Sequence, residues 1–333
     1  MDQTLDQRQP IRVGIVGTGY AAKTRAELVQ ADARTQLVAI ASRDLSRAQS
    51  LAEPLNVGAI DDWNALVQRT DIDLVIVSTG NAQHATVVRA ALQASKHVVV
   101  EYPLALDLAT AKDLAALATS QNCLLHVEHI ELLSGIHEAI QTALPAIGTP
   151  FYLRYSDLTP KQPAPDKWTY DMAEFGFPLV GALSRVHRLT NLFGPVNTVS
   201  CQTRYWQPDA ANSRFTTCVC TAQLRFSSGL LGDVIYGKGE ALWAAERTLT
   251  IQGETGAIAL NGDSGELILP DQTQPLDLGS RRGLFARDTA AVLDFLTEGK
   301  PLYVSVADSL YALAVAEAAR ISAEKGEVVG VVE

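Results

Sequence analysis

A chain of 333 residues is too long for one ordinary hydrophobic core, and 47% hydrophobic content is enough to fill two. The formal charge of −10 argues against bulk nucleic-acid binding, the first ten residues are polar with no apolar leader segment, and no run approaches the roughly eighteen apolar residues of a membrane span. A cytoplasmic location is expected by default. Cys123, Cys201, Cys218 and Cys220 have neither zinc-site nor redox-motif spacing, so buried thiols are expected, with Cys218 and Cys220 on one face of a strand.

In chain order, Ile11–Val16 is a β-branched run that leads directly into Gly17-Thr18-Gly19-Tyr20-Ala21-Ala22, a Gly-x-Gly-x-x-Ala turn between a strand and a helix. Gly17 permits the tight turn, Gly19 lets backbone approach a pyrophosphate, and Ala22 allows the helix to pack closely on the strand. Phosphate is then met by free helix N–H groups, which makes Gly17, Thr18, Gly19, Tyr20 and Ala22 candidate cofactor residues. A second strand, Gln36–Ser42, ends where a dinucleotide fold reads the adenosine ribose. An acidic residue there would accept from the ribose hydroxyls and repel a 2′-phosphate. The chain has Ala41-Ser42-Arg43-Asp44 instead. Ser42 can donate to a phosphate oxygen, Arg43 can pair with its charge, and Asp44 is expected to cap the next helix. NADPH is therefore expected, with NADH the weaker alternative should Arg43 only stack on adenine.

Asp71–Ser78 reads as a buried strand, Ala82–Ala94 as a helix and His97–Glu101 as the next strand, closed by Pro103. A helix over Leu108–Ser120 and a short strand over Cys123–Val127 complete an alternating pattern that implies a mostly parallel sheet covered on both faces. From about Pro150 the texture changes to period-two alternation in Phe151–Ser156, Val196–Arg204, Thr216–Phe226 and Gly229–Tyr236, which indicates an antiparallel sheet with one buried face. Helices over Phe285–Thr297 and Val306–Lys325 end the chain, and Pro160–Lys167 is the candidate mobile loop. The expectation is an α/β Rossmann domain over residues 1–125, and over 126–333 an α+β substrate domain with a large, mostly antiparallel sheet.

The opening glycine turn, Ser78-Thr-Gly-Asn-Ala-Gln-His84, Lys96-His-Val-Val-Val-Glu-Tyr-Pro103 and the closing Ala-rich helix resemble the oxidoreductases typified by glucose-fructose oxidoreductase and inositol dehydrogenase, over nearly the whole chain. Within that superfamily three stretches resemble the biliverdin reductases: Glu101-Tyr102-Pro103, His126-Val-Glu-His-Ile-Glu-Leu-Leu133, and Phe175-Gly-Phe-Pro178 leading to Leu183-Ser184-Arg185 and Leu192-Phe-Gly194. The sugar dehydrogenases place a lysine where this chain has Tyr102 and a histidine where counting back from Gly194 gives Ser184. Both proton-handling groups are absent, and an alcohol oxidation needs a base. Free tyrosine titrates near pH ~10 and is a poor substitute.

The resemblance implies NADPH as donor, biliverdin as the small-molecule substrate and bilirubin as product, with no protein partner implied. Arg185 and Arg188 lie three apart on a predicted helix and can share a face. Arg185 is expected to polarise the substrate or act through a water or propionate relay, because a guanidinium hardly ever gives up its proton. Tyr102 is expected to orient the tetrapyrrole or join that relay. Structural readings stand beside these: Arg185 paired with a carboxylate of its own domain, Arg188 on the surface, and Tyr102 packed beside nicotinamide. Ser78, Thr79, His84 and Glu101 are assigned to the dinucleotide side, His84 at a helix start and Glu101 before the Pro103 turn. His126 and Glu128 are assigned to the substrate side at the domain boundary, with Glu131 capping or solvating the helix that follows. The spacing of His126 and His129 lacks the His-Glu-x-x-His order, so no metal is expected. Phe175 and Phe177 either pack a hinge or form an apolar wall for a flat ligand. Lys161, Lys167 and Lys238 reach propionates only if the proline-rich loop folds over the sheet. Two other functions stay open, another dehydrogenase acting on a polyol or imine and a dinucleotide-sensing regulator without turnover. Oligomeric state is open.

Overall fold

In a computed structural model, residues 9–206, 213–280 and 282–332 are described. The polar segment at the extreme N-terminus therefore lies, up to residue 8, outside them. Contacts divide the chain into two compact units. The first runs to Ile130 and takes in Gly283–Leu310, and the second comprises Glu131–Arg282 and the residues from Tyr311 onward. The expected single boundary between residues 125 and 126 lies one short strand before this division, and the return of the chain at Gly283 has no counterpart in it.

The first unit alternates strand and helix: β1 (Ile11–Val16), α1 (Tyr20–Ala31), β2 (Thr35–Ala41), α2 (Leu45–Ala52), β3 (Gly58–Ile60), α3 (Trp63–Val67), β4 (Leu74–Val77), α4 (Asn81–Gln93), β5 (His97–Glu101), α5 (Leu108–Ser120) and β6 (Leu125–Glu128). The six strands form one sheet in the order β3-β2-β1-β4-β5-β6, every pair parallel. Parallel strands buried on both faces must be apolar throughout, which is why Leu74–Val77 and Val98–Val100 read as unbroken hydrophobic runs. Ala22, Ala26 and Val29 of α1 pack into the cluster formed by Val13, Ile15, Ile40 and Val99, and Val292, Leu293 and Leu296 join it from the returning segment.

The second unit continues with α6 (Gly135–Ala143), β7 (Pro150–Pro160), α7 (Met172–Phe175), α8 (Pro178–Gly181), α9 (Ser184–Phe193), β8 (Val196–Trp206), β9 (Thr217–Phe226), β10 (Leu231–Gly239), β11 (Glu246–Gly253), β12 (Gly256–Asn261), β13 (Ser264–Leu269) and β14 (Gln272–Pro275). After α10 (Leu284–Glu298) in the first unit, α11 (Val306–Lys325) and β15 (Val329–Gly330) end the fold. Nine strands form a sheet in the order β14-β13-β12-β11-β7-β10-β9-β8-β15. Only β7 and β10 run parallel, so the sheet is mixed and mostly antiparallel. The strand over 151–156 extends to Pro160, and β11 to β14 are additional to the strands expected from sequence. Residues following Pro160 are tied to the end of β10, with Lys161 N donating to Gly239 O and Gln162 Nε2 to Glu240 O. None of the four cysteines is in a disulfide and all are buried, and Cys218 and Cys220 do share a face of β9, with Cys220 Sγ 3.5 Å from Cys201 Sγ.

Candidate active site

The glycine turn stands at the carboxyl end of β1. Gly17 has φ +125°, and a Cβ there would lie 2.1 Å from Ser78 O, so the turn itself demands glycine. Gly19 is different. A Cβ at Gly19 would meet nothing within 4 Å, and its φ is −76°, so nothing in the protein requires a missing side chain there. The first turn of α1 has neither a side-chain cap nor an acidic residue, which leaves its N–H groups available to an anion. The first turn of α4, behind Gly80, likewise has neither a side-chain cap nor an acidic residue. Ser78 Oγ, between these two helix starts in sequence, is buried with no hydrogen-bond partner among the described residues. An open glycine, uncapped helix starts and an orphaned hydroxyl fit a phosphate-bearing dinucleotide. Tyr20, 80% exposed, touches Phe285 edge-on at 6.2 Å, and Ala22 is buried under the helix as its small size requires. Beyond β2, Ser42 is half-buried and Arg43 exposed, while Asp44 caps α2 by accepting from Ser46 N and Arg47 N. Thr79 is half-buried, and His84 is fully buried with Nδ1 2.8 Å from Pro103 O and Nε2 3.2 Å from Thr79 O. His84 thus joins the turn after β4 to the turn after β5. Burial lowers its pKa against the pull of those two carbonyls and Glu101.

The ends of β5 and β6 carry the second cluster. Their register sets Glu101 beside Glu128. Burial and the Glu101 carboxylate push the Glu128 carboxyl well above its usual range, and a hydrogen bond between the two side chains adds to the rise. Glu101 also accepts from Arg25 Nε at 3.2 Å. Arg25 is fully buried and pairs with buried Asp288 of α10, which also receives hydrogen bonds from His126 Nε2 and Tyr303 Oη, each at 2.7 Å. Burial draws the Asp288 carboxyl upward, but the charges of Arg25 and His126 with those hydrogen bonds outweigh it and hold the group well below the usual carboxylate range. His126 and Glu128 were expected on the substrate side. They lie buried in this network of the first unit, where His126 bonds Asp288 and Glu128 stands beside Glu101, because a polar group is buried at low cost only against a partner. Half-buried Tyr102 stacks on buried His129, with centroids 5.4 Å apart and planes at 7°. No group of three or more metal-ligating side chains occurs among the described residues.

In the second unit a cavity of about 270 Å³ is lined by Arg185, Arg188 and Ser184 of α9, Tyr155, Asp157 and Thr159 of β7, and Arg247 of β11. Arg185 Nη2 lies 2.6 Å from Asp157 Oδ2, Nη1 donates to Ser184 Oγ at 3.1 Å, and the guanidinium carbon is 5.5 Å from the Tyr236 ring centroid. The carboxylate pairing and the pocket position, weighed as alternatives for Arg185 from sequence, coexist. Arg188 does not lie on the surface: it is 5% exposed, pairs with Glu131 at 2.7 Å and lines the same cavity. Glu131 is therefore an ion-pair partner here as well as a residue of the turn before α6.

Phe175 is buried and Phe177 half-buried, and neither lines this cavity. Phe175 instead carries Lys238, whose Nζ lies 3.3 Å from its ring centroid and donates to Thr169 O. Lys238 is 8% exposed among Tyr170, Phe175, Phe215 and Tyr236, and burial pulls its pKa down to about 8. Lys161 and Lys167 are exposed and line no part of the cavity. Sequence reasoning missed Asp157, Arg247, Arg25, Asp288 and Tyr303. Asp157, directly after the alternating stretch 151–156, was a usable signal for the first, but the others reach their partners only through pairing of distant segments.

Residues 11–129 match the family described as "Oxidoreductase family, NAD-binding Rossmann fold", and residues 145–331 match "Oxidoreductase family, C-terminal alpha/beta domain". Among solved structures, biliverdin reductase from Synechocystis sp. PCC 6803 in complex with biliverdin and NADP+ is 48% identical with a TM-score of 0.92, covering 95% of this chain and 100% of that one. Biliverdin reductase A of Mus musculus is 30% identical over 198 residues, 59% of this chain and 62% of that protein. A dTDP-3,4-didehydro-2,6-dideoxy-alpha-D-glucose 3-reductase of Saccharopolyspora spinosa is 34% identical over 138 residues, 41% of this chain and 42% of that protein. The aligned stretches of these two curated relatives thus fall short of two thirds of their own length. Matched from the glycine turn to the last strand, with a dinucleotide cradle in its first unit, the chain belongs to the glucose-fructose oxidoreductase and inositol dehydrogenase (GFO/IDH/MocA) oxidoreductase family and is an NAD(P)H-dependent oxidoreductase.

Proposed function

We propose that the chain is an NADPH-dependent biliverdin reductase that reduces the central methine bridge of biliverdin to give bilirubin. The observation that carries this reading is the second-unit cavity, where Arg185 is held by Asp157 and Ser184 and no lysine or histidine stands among the lining residues. Such a site lacks the usual base for oxidising an alcohol, yet offers a fixed cation to an electron-accepting conjugated system. The 48% identity to a reductase solved with biliverdin and NADP+ supports the same substrate and cofactor.

NADPH, when bound, supplies the hydride. Gly17, Thr18, Gly19 and the uncapped start of α1 would hold its pyrophosphate, with Ser78 and Thr79 at the neighbouring turn and Ser42 and Arg43 at the 2′-phosphate. As electron density moves onto a pyrrole nitrogen, that nitrogen gains a proton. Arg185 stays charged and stabilises the developing anion, and Asp157 fixes its orientation. The proton comes through water or a substrate propionic acid. Tyr102, braced on His129, orients the tetrapyrrole.

Asp157 is itself a carboxylate in the cavity, and this favours a second reading, oxidation of a polyol with Asp157 as base. One assay separates the two. Purified protein, NADPH and biliverdin are followed by visible spectroscopy, with NADH in parallel. The expected result is loss of the red bilin band and growth of a yellow product, faster with NADPH. An Arg185→Ala variant is expected to bind NADPH normally and lose turnover by about a hundredfold or more. No spectral change with folded protein overturns the reductase reading, and normal turnover by the variant overturns the role of Arg185.

A further inference from the structure

The three guanidiniums around the second-unit cavity are not equivalent. Arg185 and Arg188 are met by Asp157 and Glu131, and both carboxylates line the same cavity, so these charges are balanced within it. Arg247 has its carboxylate partner outside. Its Nη2 lies 3.0 Å from Asp263 Oδ1, and the Asp263 side chain is 88% exposed and no part of the lining. Arg247 also stands directly opposite Asp157 in the β11–β7 register, so it shares the cavity wall with the Arg185–Asp157 pair. Buried Leu249 and Leu260 line the cavity beside it as apolar surface.

An ion pair between exposed groups is weak and readily exchanged, whereas drawing Arg185 or Arg188 onto a ligand strands a shielded carboxylate. We propose that Arg247 is the specificity-determining residue that takes a carboxylate of the substrate, releasing Asp263 to solvent, while Arg185 and Arg188 stay with their own carboxylates. The ligand class that fits is an apolar conjugated body carrying a flexible carboxylate arm. A cavity of about 270 Å³ is smaller than the ~300–1,000 Å³ that encloses a whole drug-sized ligand, as suits a site that grips one part of a larger molecule.

This inference rests on the biliverdin reductase reading, since it names the propionates as what Arg247 holds. The test compares wild type, Arg247→Ala and Arg247→Lys with biliverdin and with its dimethyl ester, by steady-state turnover and by equilibrium absorbance titration without cofactor. For biliverdin, Arg247→Ala is expected to raise KM and the dissociation constant about tenfold, with Arg247→Lys recovering part of the loss, as for one charge-assisted contact. For the uncharged ester, wild type and Arg247→Ala are expected to bind alike. Equal binding of biliverdin by wild type and Arg247→Ala, or an equal loss for the ester, overturns the role of Arg247. If wild type binds biliverdin with the expected Arg247 dependence but does not reduce it, the reductase reading fails and the carboxylate site stands. If wild type binds no biliverdin, both fall.

Discussion

Arg43 is exposed just beyond β2, and in the proposed binding mode it and Ser42 choose the cofactor. Removing it in Arg43→Ala is expected to raise KM for NADPH about tenfold and leave KM for NADH within about twofold, since only NADPH carries the 2′-phosphate. Equal effects on both cofactors would show that Arg43 only stacks on adenine. His137 makes a separate pH prediction. Burial, together with the Arg188 charge, lowers it to about 4, and Nε2 lies 2.9 Å from Asn191 Oδ1. Its folded pKa is below the unfolded value near 6.5, so the neutral ring's contribution to stability is fully present above about pH 6.5 and is lost as pH falls towards 4. The loss approaches about 3 kcal/mol from this group. Urea unfolding across that range, compared with His137→Gln, measures it, and an NMR titration that finds His137 near 6.5 rules it out.

At the scale of elements, β1, its turn and α1 give two neighbouring glycines opposite tests. Gly17 combines a positive φ with backbone 2.1 Å from where a Cβ would stand, whereas a Cβ at Gly19 meets open space. Gly17→Ala is therefore expected to lower the melting temperature, with a cost above about 1 kcal/mol. Gly19→Ala is expected to melt like wild type and to lose dinucleotide affinity, because in the proposed binding mode the space it fills is where phosphate approaches. Calorimetry paired with NADPH titration reads both. A Gly19→Ala variant that binds NADPH normally would remove the pyrophosphate assignment. The helix start also shows what was legible locally: alternation of strand and helix, the Asp44 cap and the glycine spacing are all set by residues within a few positions of one another. In the second unit, β11 to β14 carried the same alternation in shorter pieces, and their pairing rather than their composition gives them a place in the sheet.

For the molecule as a whole, the return of Gly283–Leu310 to the first unit is secured by a charge buried on each side of a 263-residue separation, Arg25 on α1 and Asp288 on α10. Each is fully buried, so removing Arg25 takes the guanidinium from Asp288 and leaves its buried carboxylate to the hydrogen bonds of His126 and Tyr303. Arg25→Met is expected to destabilise by about 3–5 kcal/mol, more than an exposed pair such as Arg320–Glu324, worth about 0–1 kcal/mol. Denaturant unfolding measures both, and near-equal losses would mean that water reaches the Asp288 site. Asp288 has a folded pKa below its unfolded value near 3.8, so its contribution is present above that pH and is lost as pH falls below it.

Composition, periodicity and motif spacing were enough to specify a Rossmann half, a mostly antiparallel second half and the glycine cradle, because each is written in residues close together in the chain, and the family resemblance added the positions where Tyr102 and Ser184 replace a lysine and a histidine. They were not enough to find the buried network that holds His126 and Glu128, to bring Arg188 in from the surface, or to give Lys238 its aromatic surroundings. Those outcomes depend on which distant side chain arrives to meet a buried polar group: Asp288 for His126, Glu131 for Arg188, and the aromatic rings of three segments for Lys238. A buried polar group is tolerable only with its partner present, and partners that lie tens to hundreds of residues apart are chosen by the packing of the sheets and not by local sequence.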